Sequence, residues 1–230
     1  MTTPTPASSA WTPLEATQRR VLGVLIEKAK TTPGAYPLTV NAIVTGCNQK
    51  NNREPLTTYD DTEVERALDA LCTLKVASEI DWMGRVPKYK HHAHEWLGVS
   101  RTELAVLAEL LLRGAQSLGD LRGRAARMEE IADLAALKPL VDGLLARGLM
   151  IELTPAGRGQ IVSHNLYLAP EREALEHQYS GGAPAGPTPA ARAAQALPAA
   201  SDDLAAVHAQ IAELTERVRA LEARLDAAGG

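Results

Sequence analysis

Residues 61–80, DTEVERALDALCTLKVASEI, and residues 134–153, LAALKPLVDGLLARGLMIEL, align without a gap. Val64, Leu68, Leu71 and Cys72 fall against Leu137, Val141, Leu144 and Leu145, the spacing of one apolar helix face. Val76 to Ile80 then falls against Leu149 to Leu153, an apolar extended stretch leaving each helix. Each copy continues into a Gly-containing turn, Met83-Gly84-Arg85 or Ala156-Gly157-Arg158-Gly159, and a second β-like run, Val86 to His91 or Gln160 to Tyr167.

The repeat extends toward the N-terminus. Thr39 precedes a short helix with Val40, Ile43 and Val44, and Ser117 precedes its counterpart, where Asp120 completes a capping box before Leu121. Further back, Thr12-Pro13-Leu14-Glu15 predicts a capping box with Pro at the first helical position. Leu14, Val21, Leu22, Leu25 and Ile26 then recur at helical spacing. Ser100-Arg101-Thr102-Glu103 does the same ahead of Leu104, Leu107, Leu110 and Leu111. The offset between copies runs 85, 78 and 73 for the three helices, so the second copy has shorter loops. Pro139 removes one helical hydrogen bond at a cost of ~3 kcal/mol, so the third helix of the second copy is expected to start late or kink.

Three helices and a β-hairpin, twice over, is the winged-helix pattern. Helical arrays instead have three or more units and no hairpins. The expected fold is therefore mainly α with small β-hairpins: two tandem winged-helix domains plus a C-terminal coiled-coil helix. The expected boundaries are a disordered N-terminus at 1–11, domains at 12–97 and 98–168, a linker at 169–200 rich in Ala, Pro and Gly, and the last helix at 201–228.

Several stretches resemble the YceH-like family of uncharacterised bacterial proteins. They are Val21-Leu22-Gly23 with Glu27-Lys28, then Thr31-Thr32-Pro33, Tyr36-Pro37-Leu38, Asn41, Cys47-Asn48-Gln49-Lys50 and Asn52-Arg53-Glu54-Pro55. Arg85-Val86, Lys88-Tyr89, Leu110 to Gln116 and Leu121-Arg122 continue the likeness, which covers residues 14 to about 153. The resemblance implies tandem winged helices and carries no activity.

Hydrophobic residues make up 45% of the chain, but aromatics only 3%, with no Phe, so the core must come from Leu, Val, Ile and Ala. No run of eighteen apolar residues and no signal-peptide pattern at Met1 to Ala10 is present, and a cytoplasmic protein without membrane association is expected. Cys47 and Cys72 have no metal or redox spacing. Cys47 stands near Lys50 and Arg53, yet it follows Ile43 and Val44 at an apolar helical position, which favours packing. The net charge of −4 comes from the tail: residues 1–99 carry eleven Lys/Arg against eleven Asp/Glu, and 100–170 carry eight against eight. A neutral globular part disfavours nucleic-acid binding by bulk charge.

No nucleophile with its base, no carboxylate pair and no phosphate loop occurs, so a non-enzymatic protein without cofactor or metal is expected. His92 and His94 would share a strand face, but a third ligand is missing. Groove reading by a third helix needs Arg, Lys, Asn or Gln outward, whereas the non-core positions are Glu63, Glu65, Arg66 and Asp69, then Lys138 and Asp142. Candidate contacts to nucleic acid or a partner are Asn48, Gln49, Lys50, Asn52 and Arg53 in the loop after the second helix, and Arg85, Lys88 and Lys90 on the first wing. Arg113, Arg122, Arg124 and Arg127 in the second copy complete the set. The loop's amides and guanidinium either read a ligand or satisfy the loop's own backbone. The expected function is a DNA-associated regulatory protein; the alternative is a protein-interaction scaffold that uses winged helices without DNA. Possible partners are DNA, a protein and a second copy of the chain.

Leu204, Val207, Ile211, Leu214, Val218, Leu221 and Leu225 alternate in steps of three and four, a heptad seam with Leu204, Ile211, Val218 and Leu225 at a and the others at d. β-Branched residues at a with Leu at d favour a parallel dimer, the alternative being that the helix folds back on its own winged-helix domains. Light scattering after size exclusion should find a dimer for the full chain and a monomer after deletion of residues 200–230. An unchanged mass would exclude the seam as the dimer interface.

Overall fold

Each half of the chain folds as three helices followed by an antiparallel strand pair. The computed structural model describes residues 11–80 and 86–180, so Arg85, residues 181–200 of the expected linker and the heptad seam lie outside the described residues. The first half comprises α1 (Ala16–Thr31), α2 (Val40–Cys47), α3 (Asp61–Thr73), β1 (Ala77–Ile80) and β2 (Lys88–His91). A one-turn helix, α4 (Ala93–Leu97), leads to α5 (Arg101–Arg113), β3 (Gln116–Ser117), α6 (Leu118–Ala125), α7 (Leu134–Ala146), β4 (Met150–Glu152), β5 (Ile161–His164) and α8 (Ala169–Ser180). The fold is mainly helical with small antiparallel sheets, as expected.

The offset of 73 persists atom by atom. Ala77 pairs with His91 and Met150 with His164; Glu79 pairs with Tyr89 and Glu152 with Val162. Val64, Leu68 and Leu71 are buried, as are Leu137, Val141 and Leu144. Helices α3 and α7 end in the same Schellman cap: Val76 N–H donates to Leu71 O and Lys75 N–H to Cys72 O, while Leu149 N–H donates to Leu144 O and Gly148 N–H to Leu145 O, each at 2.9 Å. The repeat also includes a feature that spacing did not reveal. Leu38 bridges to Tyr89 just before α2, and Gln116 pairs with Val162 just before α6, so each hairpin carries a third short segment at its edge.

Four expectations need correction. Helix α1 is capped by Glu15, whose N–H donates to Gln18 Oε1 at 3.1 Å, rather than by Thr12; Glu15 and Gln18 are the true counterparts of Ser100 and Glu103. Helix α7 begins at Leu134, in step with Asp61 of α3, and runs through Pro139. The proline therefore does not delay the start, because Asp133 caps the first turn by accepting from Ala136 N–H at 2.8 Å. Residues 169–180 of the expected linker form α8: Pro170 is accommodated in the first turn, where no intrahelical N–H is needed, and Glu171 N-terminal in the helix binds Arg19. Finally, His92 is the N-cap of α4 and His94 lies within it, so they share no strand face; His92 Nε2 meets Ser78 Oγ and His94 Nδ1 meets Val99 O.

Helices α1 and α5, the equivalent first helices of the two halves, pack on each other at the centre. Arg19 through Glu27 and Leu104 through Leu112 are buried without interruption, the signature of helices covered on all sides. Their close approach requires Gly23, since a Cβ there would lie 2.9 Å from Leu112 Cδ2 and 3.2 Å from Leu111 Cβ. One hydrophobic cluster runs through both halves. No described helix is long and apolar enough to cross a membrane.

The two Schellman caps differ in one respect that is open to test. The left-handed residue is Gly148 (φ 68°) in one and the exposed Lys75 (φ 58°) in the other, and a side chain in that region is strained. Lys75→Gly is expected to stabilise the protein by up to about 1 kcal/mol in urea unfolding; a loss of stability would show that the Lys75 side chain contributes more than its backbone costs.

Candidate functional site

The loop from Asn48 to Arg53 leaves the end of α2 and folds back on itself. Asn48 serves the local backbone: its Nδ2 donates to Tyr59 O at 2.7 Å and its Oδ1 accepts from Tyr59 N–H at 2.9 Å. Asn52 adopts φ 60°, a conformation Asn tolerates, and this turns Arg53 inward. Arg53 is 3% exposed. Its Nε donates to Gly46 O at 2.8 Å and its Nη1 to Asn52 O at 2.7 Å, while Nη1 and Nη2 form a fork on the Glu27 carboxylate.

Glu27, near the end of α1, also receives Arg127 of the second half, which follows α6. The other arm of Arg127 donates to Glu109 of α5 at 3.0 Å. Arg113, one turn after Glu109, sends Nη2 to Asn52 Oδ1 at 2.6 Å and keeps Nε 3.1 Å from Glu109 Oε1. Two carboxylates and three guanidinium groups thus join α1, the loop, α5 and the segment after α6. The two carboxylates are biased in opposite directions. Burial would raise Glu27, but the hydrogen bond and charge of Arg53, then those of Arg127, hold it below the ordinary carboxylate value. Burial dominates at Glu109 and pushes it up despite Arg127 and Arg113.

The sequence grouped these arginines as candidate contacts, with the alternative that the loop's guanidinium satisfies the loop's own backbone, as Arg53 does at Gly46 O and Asn52 O. Arg53 and Arg113 face carboxylates or amides within the fold, and Arg127 keeps 27% of its side chain exposed. Arg122 donates to Ala132 O at 3.0 Å, and Arg124 to Gln116 Oε1 at 2.8 Å, so both serve their own half. Lys88 and Lys90 flank the buried Tyr89 on β2, away from this network. Reading the sequence missed Glu27 and Glu109. The available signal was a lone carboxylate in each apolar helix, most plainly Glu109 within Leu104 to Leu112, because such a group must be paired when buried. It also missed Arg20, which binds Cys47 O and Pro55 O from inside α1. Cys47 itself is fully buried and burial pushes its thiol up to about 12, so it packs as its spacing suggested.

Above this network lies a cleft of about 360 Å³, with Glu27 at its base and Lys28, Thr31, Gln49, Lys50, Asn51, Asn52 and Arg127 around it. The outer faces of the third helices differ in character. On α3 the exposed residues are Asp61, Thr62, Glu63, Glu65, Arg66, Asp69 and Thr73, and on α7 they include Leu134, Ala135, Ala136, Lys138 and Asp142. Lys138 is paired with Asp142 at 3.0 Å.

The family model described as "Protein of unknown function, DUF480" matches residues 14–158. A UPF0502 protein of Rhodopirellula baltica is 52% identical over 165 residues, 72% of this chain and 70% of its own. One from Geobacter sulfurreducens is 53% identical over 128 residues, 56% of this chain and 58% of its own. Another, from Xanthomonas axonopodis pv. citri, is 38% identical over 216 residues, 94% of this chain and 96% of its own.

Because the folded value of Glu27 is depressed, its pairing stabilises the chain above the ordinary carboxylate range and that contribution is lost as pH falls through the folded value. Glu27→Gln leaves buried arginines uncompensated and should cost about 3 kcal/mol or more at neutral pH. Urea unfolding between pH 7 and 3 should also show a flatter acid limb than for the unaltered chain; an equally steep limb would remove Glu27 as its source.

Proposed function

We propose, for a chain that belongs to the DUF480 family, a non-enzymatic binding role: two winged-helix units joined through their first helices and holding a protein partner. The observation that carries this reading is the outer face of α3, the helix that would enter a DNA groove. It presents Asp61, Glu63, Glu65 and Asp69 with Arg66 as the one basic residue among its exposed positions. Carboxylates facing phosphates are repulsive, and the arginines that would offset them are engaged with Glu27, Glu109, Asn52 and backbone carbonyls. A protein surface is the class of partner compatible with both the acidic α3 and the mixed, partly apolar face of α7. In this reading the heptad seam pairs two copies of the chain, and the protein works in the cytoplasm.

The DNA-associated reading keeps one argument, the cations Lys88 and Lys90 on β2, with Arg85 beside them in sequence. The two readings separate in one pair of measurements. Mobility shift with genomic fragments should show no complex at ~50 or ~150 mM salt, and crosslinking in cells should trap a protein that the Glu63→Lys/Glu65→Lys variant no longer retains. A DNA complex that weakens steeply with salt and is lost in Arg85→Ala/Lys88→Ala/Lys90→Ala would instead establish the DNA reading.

A further inference from the structure

The cleft beside the 48–53 loop has a polarity that the proposed partner surface does not use. Gln49 Oε1 accepts from Arg53 Nη2 at 2.9 Å, and Asn52 Oδ1 accepts from Arg113 Nη2 at 2.6 Å. A guanidinium has donors only, so it fixes which end of each amide faces it. The NH2 groups of Gln49 and Asn52 are left without a hydrogen bond among the described residues, at the wall of the cleft. Lys28 and Lys50 line the same space and make no ion pair among the described residues, and the exposed Asn51 adds a further amide. At the base, both oxygens of Glu27 are already occupied by Arg53 and Arg127. Arg127 is shared between Glu27 and Glu109, so Lys28 and Lys50 are the two cations of the lining without a carboxylate partner among the described residues. Among the described residues no aromatic side chain lines the cleft to stack on a base or ring.

We infer that this cleft is a binding site for a small oxyanion carrying two charges, inorganic phosphate or a phosphomonoester. The ligand it fits presents mainly acceptors, as the dianion of phosphate or of a phosphomonoester does, and its two charges match Lys28 and Lys50. Because Lys28 belongs to α1, Gln49 to Asn52 to the loop and Arg127 to the second half, an occupant would tie the halves together and stabilise the folded chain by mass action. This site lies apart from the outer faces of α3 and α7, so it stands whether or not those faces hold a protein.

Isothermal titration of the full chain with inorganic phosphate and with glycerol 3-phosphate, at ionic strength matched with chloride, tests the site. Saturable binding at one site per chain is expected, accompanied by a rise in Tm. Lys28→Ala/Lys50→Ala should weaken it about tenfold or more, in line with the loss of charged hydrogen bonds. Asn51→Asp, at an exposed position that leaves the fold untouched, should abolish it by adding a like charge. Tighter binding of glycerol 3-phosphate assigns the site to a phosphomonoester, and tighter binding of inorganic phosphate assigns it to the free ion. No heat beyond the chloride control for either probe, or equal binding by the unaltered chain and both variants, would overturn the inference.

Discussion

Glu27 holds the two halves in register. An ionised carboxylate buried to this degree is tolerated only when its lone pairs are filled by charged donors, and here the donors come from opposite directions, Arg53 from the loop after α2 and Arg127 from the segment after α6. That requirement shapes what surrounds it. Asn52 must adopt the left-handed conformation for Arg53 to turn inward, and Arg113 then meets the Asn52 side chain from α5. Glu54 N–H donates to Leu112 O at 2.9 Å, which fastens the same loop to the backbone of the second half. A loop longer than an ordinary helix-turn-helix connection is thereby tied to both α1 and α5.

The arginines drawn into this network change the meaning of the charge composition. Counted along the chain, acids and bases balance in both halves. Counted by position in space, Arg19, Arg20 and Arg53 are buried together with Glu27 and Glu109, while Asp61, Glu63, Glu65 and Asp69 are exposed together on α3. The outer face of α3 is therefore acidic, while Lys88 and Lys90 are the cations of β2 and Lys28 and Lys50 stand in the cleft beside the paired Arg127. Lysine is a hydrated point charge suited to solvent, whereas the planar guanidinium forks onto carboxylates and carbonyls within the fold.

Much of the fold was legible in the alignment of the third helices, because Val64, Leu68 and Leu71 report a buried stripe whatever lies against it. The hairpins followed, since the same offset carries through Ala77 to His91 and Met150 to His164. What escaped was set by partners far away in sequence. Helix periodicity identifies one apolar face and says nothing about a second, so the full enclosure of α1 and α5 by each other could not be read from either alone. Helix α8 opens a stretch whose Ala, Pro and Gly content reads as linker, and its anchor, Arg19, lies at the other end of the fold. For the site, residue type identified the 48–53 loop as unusual and left open whether its amides face a ligand or the chain. The structure divides them: Asn48 bonds to backbone, whereas Gln49 and Asn52 give their oxygens to arginines and keep their nitrogens at the cleft.

The first and last described segments are stitched together as closely as the halves. Leu14 N–H donates to Leu166 O at 3.0 Å, and Arg19 lies 4.8 Å from the centre of the Tyr167 ring, which in turn stacks on the buried His164 at 3.9 Å. The same guanidinium binds Glu171, 152 positions along the chain. During synthesis Arg19 of α1 therefore waits for nearly the whole of the described chain before it meets Tyr167 and Glu171, whereas Arg20 and Glu27 on the same helix find Pro55 and Arg53 within the first half. Helices α2 and α3 cover one side of α1 early, but the side that α5 covers stays open until the second half is made, so the core is completed late.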